Sequence, residues 1–155
     1  METIVCDTSA LVRLYKGGAL NCLISLFEKI YIPIAVKNEC LDEPVMNAIK
    51  RPPFEILEVK ELVDLGQIGM GEREVVSLAI EIEAKTILTD DRRAVKKLAQ
   101  RNFKLDILES TDVLILAKQA GLINSAKKIL ETMRANDENI TEKEWLDTLK
   151  AAGEI

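Results

Sequence analysis

Residues 71–95 read GEREVVSLAIEIEAKTILTDDRRAV and carry the pattern that decides the fold. Apolar residues at positions 75, 76, 79, 80 and 82 have the spacing of an amphipathic helix over 72–84. The run TIL at 86–88 predicts a short buried strand, which Asp90 and Asp91 follow, and then comes a basic amphipathic helix over 92–102. One acid is enough to cap that helix. The second acid needs a reason of its own.

Strands and helices alternate along the rest of the chain. Strands are predicted at 3–6, 30–32, 54–59 and 104–108. Helices are predicted from Asp7-Thr8-Ser9 to a Gly-Gly stop, at 19–29, at 34–43 with an end at Pro44, at 45–50, within 60–71, and at 110–121, 125–136 and 140–153, the last with a capping box. This alternation predicts an α/β fold with a mainly parallel sheet between helical layers.

Length and composition favour one ordinary globular domain. The 155 residues are 48% hydrophobic, yet no apolar run reaches the roughly 18 residues that a membrane helix needs. Acids at positions 2 and 7 argue against a signal peptide. The cysteines Cys6, Cys22 and Cys40 form no CxxC pair, which favours reduced thiols in the cytoplasm, with Cys6 in the core.

Charge and the lack of histidine restrict the chemistry. A net charge of −5 does not attract nucleic acid by its overall field, so any such contact needs a local basic patch or bound cations. With no histidine in the chain, a Ser-His-Asp triad, histidine acid–base catalysis and histidine-ligated zinc are excluded. Carboxylates are the most plausible working groups of an enzyme built from this sequence.

Five of the 26 acids stand out by position, namely Asp7, Glu39, Glu72, Asp90 and Asp91. Each has an ordinary explanation as well: Asp7, Glu72 and one of the pair can serve helix starts, and Glu39 can be an exposed acid. Sites in parallel sheets lie at the carboxyl ends of strands, however, and Asp7 and the pair follow strands.

Converging carboxylates require a counter-charge. Two of them about 5 Å apart repel by about 3 kcal/mol at an effective dielectric constant of 20. Either their pKa values rise or cations lie among them, and Mg²⁺ and Mn²⁺ prefer such oxygen ligands. A metal of this kind activates water for attack on phosphorus and allows an acidic protein to approach RNA or DNA.

The chain resembles the PIN-domain nucleases, most closely the prokaryotic branch that includes VapC-type toxins. The matching segments are IVCDTSAL, VKNECLDEP around Glu39, GMGEREVVSLAIEIEAKTILTDDRRAVKKLA and DILESTDVLILAKQAGLI. The resemblance implies a three-layer α/β/α sandwich with strand order 3-2-1-4-5, often dimeric. It covers residues 1–155 as one domain, with C-terminal helices at about 123–153 packed on or extending it.

The resemblance also implies roles for individual residues. The metal ligands fall on Asp7, Glu39, Glu72 and Asp91, with Asp90 as competitor or support; Glu72 stands where many members have aspartate. Thr8 or Ser9 supplies a hydroxyl near the metal or the scissile phosphate. The basic residues beside the site, which are alternatively a solvated face, would bind substrate: Arg92, Arg93, Lys96 and Lys97.

The function implied is a Mg²⁺- or Mn²⁺-dependent endoribonuclease that uses metal-activated water. A toxin role with a small antitoxin partner is a further implication, although PIN domains also serve in RNA processing and quality control. One alternative is a non-catalytic PIN-fold module for RNA binding or dimerisation. Another is a phospho-acceptor domain or a haloacid-dehalogenase-like phosphatase. Such phosphatases use Asp-x-Asp after the first strand, where this chain has Asp7-Thr8-Ser9, and receiver domains need paired acids at the first strand, whereas the pair comes late here; both are disfavoured.

Overall fold

Five parallel strands form one sheet in the computed structural model, which describes residues 2–64, 66, 70–91, 93–94, 97 and 104–155. The strand order is β3-β2-β1-β4-β5, and every neighbouring pair is parallel. This confirms the predicted parallel α/β fold and the strand order that the resemblance implied. The strands are β1 (Thr3–Cys6), β2 (Lys29–Pro33), β3 (Phe54–Leu57), β4 (Thr86–Leu88) and β5 (Asp106–Leu108).

Helices flank this sheet. In the described part of the chain they are α1 (Thr8–Lys16), α2 (Leu20–Leu26), α3 (Ile34–Glu39), α4 (Glu43–Ala48), α5 (Met70–Glu81), α6 (Ser110–Gln119), α7 (Ala126–Ala135) and α8 (Glu142–Ala151). Helix α5 contacts β1, β2 and β4, whereas α1, α2 and α6 contact one another. Right-handed crossovers place these two groups on opposite faces of the sheet. Helices α7 and α8 pack on α6, and α7 also contacts α1.

The middle of the sheet is the centre of the core. Ile4, Val5 and Cys6 of β1 and Ile87 and Leu88 of β4 are 0% exposed, as expected for strands covered on both faces. The predicted core position of Cys6 is confirmed. None of the helices in the described ranges has the length and apolarity that a bilayer-crossing segment needs.

The chain around Pro44 differs from the prediction. Instead of one helix over 34–43 that stops at Pro44, α3 ends at Glu39 and α4 begins at Glu43 with Pro44 in its first turn. Proline is tolerated there because the first amides of a helix have no intrahelical partner. The Asp42 carboxylate caps α4 by accepting from the Val45 amide at 3.1 Å. The helix break leaves residues 40–42 as a loop beside the candidate site.

Other boundaries shift by smaller amounts. The third strand ends at Leu57 and not at 59, and the fifth begins at Asp106 and not at 104. Helix α5 ends before Glu83, whose φ of 58° is left-handed and incompatible with a continuing helix. Residues 60–64 and 66 form no helix. Of the predicted basic helix 92–102, residues 93, 94 and 97 are helical, and the others lie outside the described residues.

Candidate active site

The candidate site lies where β1 and β4 end side by side. Cys6 and Leu88 are register partners, and the Asp7 amide donates to the Leu88 carbonyl at 2.8 Å. The chain leaves β1 towards β2 and leaves β4 towards β5, so the order of strands reverses between these two strands. This reversal makes a crevice at the carboxyl edge of the sheet, the usual place for a ligand in such folds.

All five candidate acids border one cavity in this crevice. Its volume is about 400 Å³, and its lining residues are Asp7, Thr8, Ser9, Glu39, Glu72, Asp90 and Asp91. Four elements deliver the acids: β1, the end of α3, the start of α5 and the turn after β4. Their convergence is a product of the tertiary fold, because the acids span more than 80 positions of the chain.

Asp7 is the most buried of these acids, with 7% of its surface exposed. The hydroxyls of Ser9 and Thr89 donate to its Oδ2 at 3.1 and 3.3 Å. Burial raises the pKa of Asp7, although these hydroxyls and the nearby amides of Ser9 and Thr8 partly oppose the rise. Asp7 stands at the N-cap position of α1, but its side chain makes no capping hydrogen bond. The hydrogen bonds that orient the Asp7 carboxylate come from the Ser9 and Thr89 hydroxyls and not from a regular helix cap.

Glu39 reaches the cavity from the last residue of α3 and is exposed. A Cβ at Gly71 would lie 3.0 Å from the Glu39 Oε2, so the lack of a side chain at Gly71 makes room for this carboxylate. The glycine before Glu72 thus has a steric role in the site. Glu39 is therefore an exposed acid that also lines the cavity.

Glu72 and Asp91 face each other across the cavity. Burial is the largest cause of a raised pKa for Glu72, and the negative charges of Asp7 and Asp91 add to it. Asp91 is thus a neighbour whose like charge makes ionisation of Glu72 less favourable. Asp91 Oδ1 accepts from the Ala94 amide at 3.0 Å and so caps the helical residues that follow. A cation bound between these carboxylates would relieve this repulsion.

Asp90 is directed to other partners. Its Oδ1 accepts from the Ser110 amide at the start of α6 at 2.7 Å, and its Oδ2 lies 3.7 Å from the Arg13 guanidinium. Among the described residues, that buried Oδ2 has no hydrogen-bond partner. The two adjacent acids therefore differ: Asp91 caps the helix directly after it, and Asp90 joins the turn to α6 and α1.

The donor set suits a hard divalent cation in its chemistry. Carboxylate and hydroxyl oxygens are the ligands that Mg²⁺ and Mn²⁺ prefer. Burial raises the pKa values of Asp7 and Glu72, and at Glu72 the charges of Asp7 and Asp91 add to this rise. Within the described residues, no three acids are already grouped as a preformed metal-binding set. Metal binding therefore requires these side chains to turn towards a common point.

The two described residues of the predicted basic patch, Arg93 and Lys97, lie apart from the cavity. Arg93 is exposed and Lys97 is half-buried, and neither lines the cavity; Arg92 and Lys96 lie outside the described residues. A second cavity of about 530 Å³ shares Thr8, Ser9 and Glu39 with the first and extends to Lys16. Lys16 Nζ lies 3.6 Å from Glu138. Among the described lining residues of both cavities, Lys16 is the basic one.

The sequence interpretation missed Thr89, Gly71, Arg13 and Lys16. Thr89 is 1% exposed and links both sides of the site, since it donates to Asp7 and accepts from the Asp91 amide at 3.2 Å. A buried threonine directly after a strand was the available signal. Ser9, Arg13 and Lys16 recur at i, i+4 and i+7, which places them on one face of α1. That spacing was legible in the sequence as a polar stripe beside Asp7.

Comparison with known proteins gives a match that spans the chain. The family model DUF3368, described as a PIN domain, matches residues 3–154. No curated protein matches the chain.

Proposed function

Because the chain belongs to the PIN-domain family, whose members are generally nucleases, we propose that it is a Mg²⁺- or Mn²⁺-dependent endoribonuclease. The observation that carries this proposal is the cavity itself. Asp7, Glu39, Glu72, Asp90 and Asp91 line about 400 Å³ at the reversal point of the sheet. A phosphodiester does not approach such an acidic surface unless a cation offsets the charge.

The proposed ligands are Asp7, Glu39, Glu72 and Asp91. When bound, the metal supplies an activated water and neutralises charge on the phosphate that is attacked. Asp7 is held for this role by the Ser9 and Thr89 hydroxyls. Asp90 supports the site from the turn, where the Ser110 amide fixes one of its oxygens. Thr8 and Ser9 also line the cavity, and the proposed contact with a phosphate oxygen falls to the Thr8 hydroxyl, because the single Ser9 hydroxyl proton is donated to Asp7.

The test uses circular single-stranded RNA, which has no ends. Purified protein with Mn²⁺ should open the circle, EDTA should stop the reaction, and excess Mn²⁺ should restore it. Opening of the circle separates an endonuclease from an exonuclease, and a matched circular DNA tests the sugar preference. If the protein binds RNA but leaves it intact with either metal, the non-catalytic RNA-binding or dimerisation module is the better explanation.

The basic residues Arg92, Arg93, Lys96 and Lys97 are proposed to bind substrate phosphates. Replacing all four by glutamine should weaken RNA binding and flatten its dependence on salt, by about one unit of slope for each lost phosphate contact. Lys16→Gln tests the cavity route separately, because Lys16 lines the cleft. An unchanged salt slope in the fourfold variant would identify those residues as a solvated face.

The cellular setting is proposed on the resemblance to VapC-type toxins. The protein would act in the cytoplasm as a homodimer and as the toxin of a pair with a small antitoxin. Three unpaired, buried cysteine thiols are compatible with a reducing compartment. Induced expression of the wild-type protein in a bacterial host should arrest growth, whereas expression of Asp7→Asn should not. Light scattering of the purified protein measures its oligomeric state. Growth that continues with active nuclease present would favour an RNA-processing role.

A further inference from the structure

Arg13 joins the C-terminal helices to the candidate active site. Its side chain projects from α1 and is 11% exposed. The guanidinium donates to Glu144 at 2.8 and 3.4 Å, one bond to each carboxylate oxygen, and to the Asn139 carbonyl at 2.7 Å. It also lies 3.7 Å from Asp90 Oδ2. One largely buried cation is therefore shared between the C-terminal segment and the acid turn after β4.

The C-terminal segment holds Arg13 in a defined orientation. Glu144 lies in the first turn of α8, and its carboxylate also accepts from the Thr141 amide at 3.3 Å as part of a capping box. A bidentate pair of hydrogen bonds between a guanidinium and a carboxylate is formed only within a narrow range of orientations. The capping box orients the Glu144 carboxylate. The two hydrogen bonds to Glu144 then orient the Arg13 guanidinium, which lies near Asp90.

Asp90 depends on Arg13 for part of its own orientation. One carboxylate oxygen is fixed by the Ser110 amide at 2.7 Å. The other oxygen is buried, has no hydrogen-bond partner among the described residues, and faces the guanidinium at a distance too long for a hydrogen bond. The guanidinium charge is thus what compensates this oxygen. Without it the carboxylate would turn towards solvent, which lies on the side of the cleft.

We propose that Arg13 is a positioning residue of the metal site and that α8, through Glu144, is part of the site's support. This inference rests on the proposed function, because it needs a metal bound near Asp7 and Asp91. Arg13 acts through Asp90: it keeps that carboxylate on Ser110 and Arg13 and so fixes the turn from which the neighbouring Asp91 would meet the cation. Residues that orient ligands typically change metal affinity by about 10–100-fold when removed.

The sign of the effect separates positioning from simple electrostatics. Loss of a positive charge near the site would by itself tighten Mn²⁺ binding, because one repulsive cation is gone. Loss of positioning weakens it. We expect Arg13→Gln to weaken Mn²⁺ binding to the RNA-free protein by about tenfold, measured by calorimetry or by the electron paramagnetic resonance of free Mn²⁺. Unchanged or tighter binding by folded Arg13→Gln would overturn the proposal.

A double-mutant cycle tests whether Asp90 is the route. In an Asp90→Asn background, Arg13→Gln should cost little further Mn²⁺ affinity, because the group through which Arg13 acts is already changed. Full additivity of the two losses would also overturn the proposal. Glu144→Gln serves if Arg13→Gln does not fold, since glutamine keeps the capping box and a neutral acceptor. It should weaken Mn²⁺ binding in the same direction by a smaller factor.

Arg134→Gln is the matched control, because Arg134 is an arginine of α7 that contacts α8. Arg134 lies 4.1 Å above the Trp145 ring and 3.7 Å from Glu142, so its loss should lower the melting temperature without changing Mn²⁺ affinity. Asp7→Asn separates this proposal from the proposed function. If wild-type Mn²⁺ binding does not depend on Asp7, both fail; if it depends on Asp7 and is insensitive to Arg13, only the positioning role fails.

Discussion

Glu72 in the acid cleft and Glu154 near the C-terminus are both glutamates, but their surroundings shift the carboxyl pKa in opposite directions. Burial and the charges of Asp7 and Asp91 raise the pKa of Glu72. Burial also acts to raise the pKa of Glu154, but hydrogen bonds from the Ala126 and Lys127 amides outweigh it and leave that pKa lowered. The first carboxylate lies among like charges, and the second lies among donors.

The C-terminal clasp is defined as Glu154 with Ser125, Ala126, Lys127 and Lys118. It surrounds the Glu154 carboxylate with hydrogen-bond donors and a lysine ammonium group. Glu154 accepts from the Ala126 amide at 2.7 Å and from the Ser125 hydroxyl at 3.0 Å at the start of α7, and Lys118 Nζ lies 3.6 Å away. An anion at a helix start is favourable. The clasp therefore stabilises the fold, whereas the cleft holds carboxylates whose repulsion only a cation or protons relieve.

Asp7→Asn has the largest expected effect. It should lower Mn²⁺-dependent cleavage by more than about 100-fold, because loss of a direct ligand exceeds the usual effect of a residue that only orients one. The melting temperature should stay equal or rise, since the variant removes a buried carboxyl with a raised pKa. Cleavage at the wild-type rate would show that Asp7 is not a metal ligand. The cleft and the clasp would then not differ in their need for a cation.

The acid pair gives the next largest effect. Asp91→Asn should be at least as damaging as Asp90→Asn, for which a loss of about 10–100-fold is expected. High Mn²⁺ should rescue Asp90→Asn better, because Asp90 contacts Ser110 and Arg13 whereas Asp91 faces Glu72. Rates titrated with Mn²⁺ for both variants measure this. Better rescue of Asp91→Asn would reverse the two roles.

Glu154→Gln tests the other side of the comparison. We expect it to lower the free energy of unfolding at pH 7 by about 1.5 kcal/mol, or the melting temperature by about 3–6 °C. Because the folded pKa of Glu154 is lowered, its contribution is present above the unfolded value and is lost as the pH falls through the folded value. The difference from wild type should therefore shrink towards pH 3, while cleavage at pH 7 is retained.

The pH dependence of Mn²⁺ stabilisation is the smallest effect. The raised pKa values of Asp7 and Glu72 mean that the folded protein holds protons there more tightly than the unfolded chain. That proton-linked stability is present below the unfolded pKa values and is lost as the pH rises through the folded ones. Mn²⁺ should hence raise the melting temperature by about 2–4 °C more at pH 7 than at pH 5. An equal shift at both values would place the metal elsewhere.

Local patterns predicted much of this molecule because the forces behind them are local. The apolar runs at 3–6 and 86–88 became central buried strands, and the capping box at Thr141 and Glu144 begins α8 as expected. The prediction at Pro44 was wrong because proline both ends helices and begins them, and the choice depends on Asp42 capping the next helix. Pattern alone does not weigh such alternatives.

The sequence by itself determined the alternation of strands and helices, the acids at the strand ends and the exclusion of histidine chemistry. Periodicity and residue type are properties of short segments, so they are legible without the fold. Only the tertiary structure decided that Asp91 caps the following helix while Asp90 turns to Ser110 and Arg13. Arg13 and Ser110 lie far from Asp90 in the chain, and the packing of α1 against α6 brings them to the turn after β4.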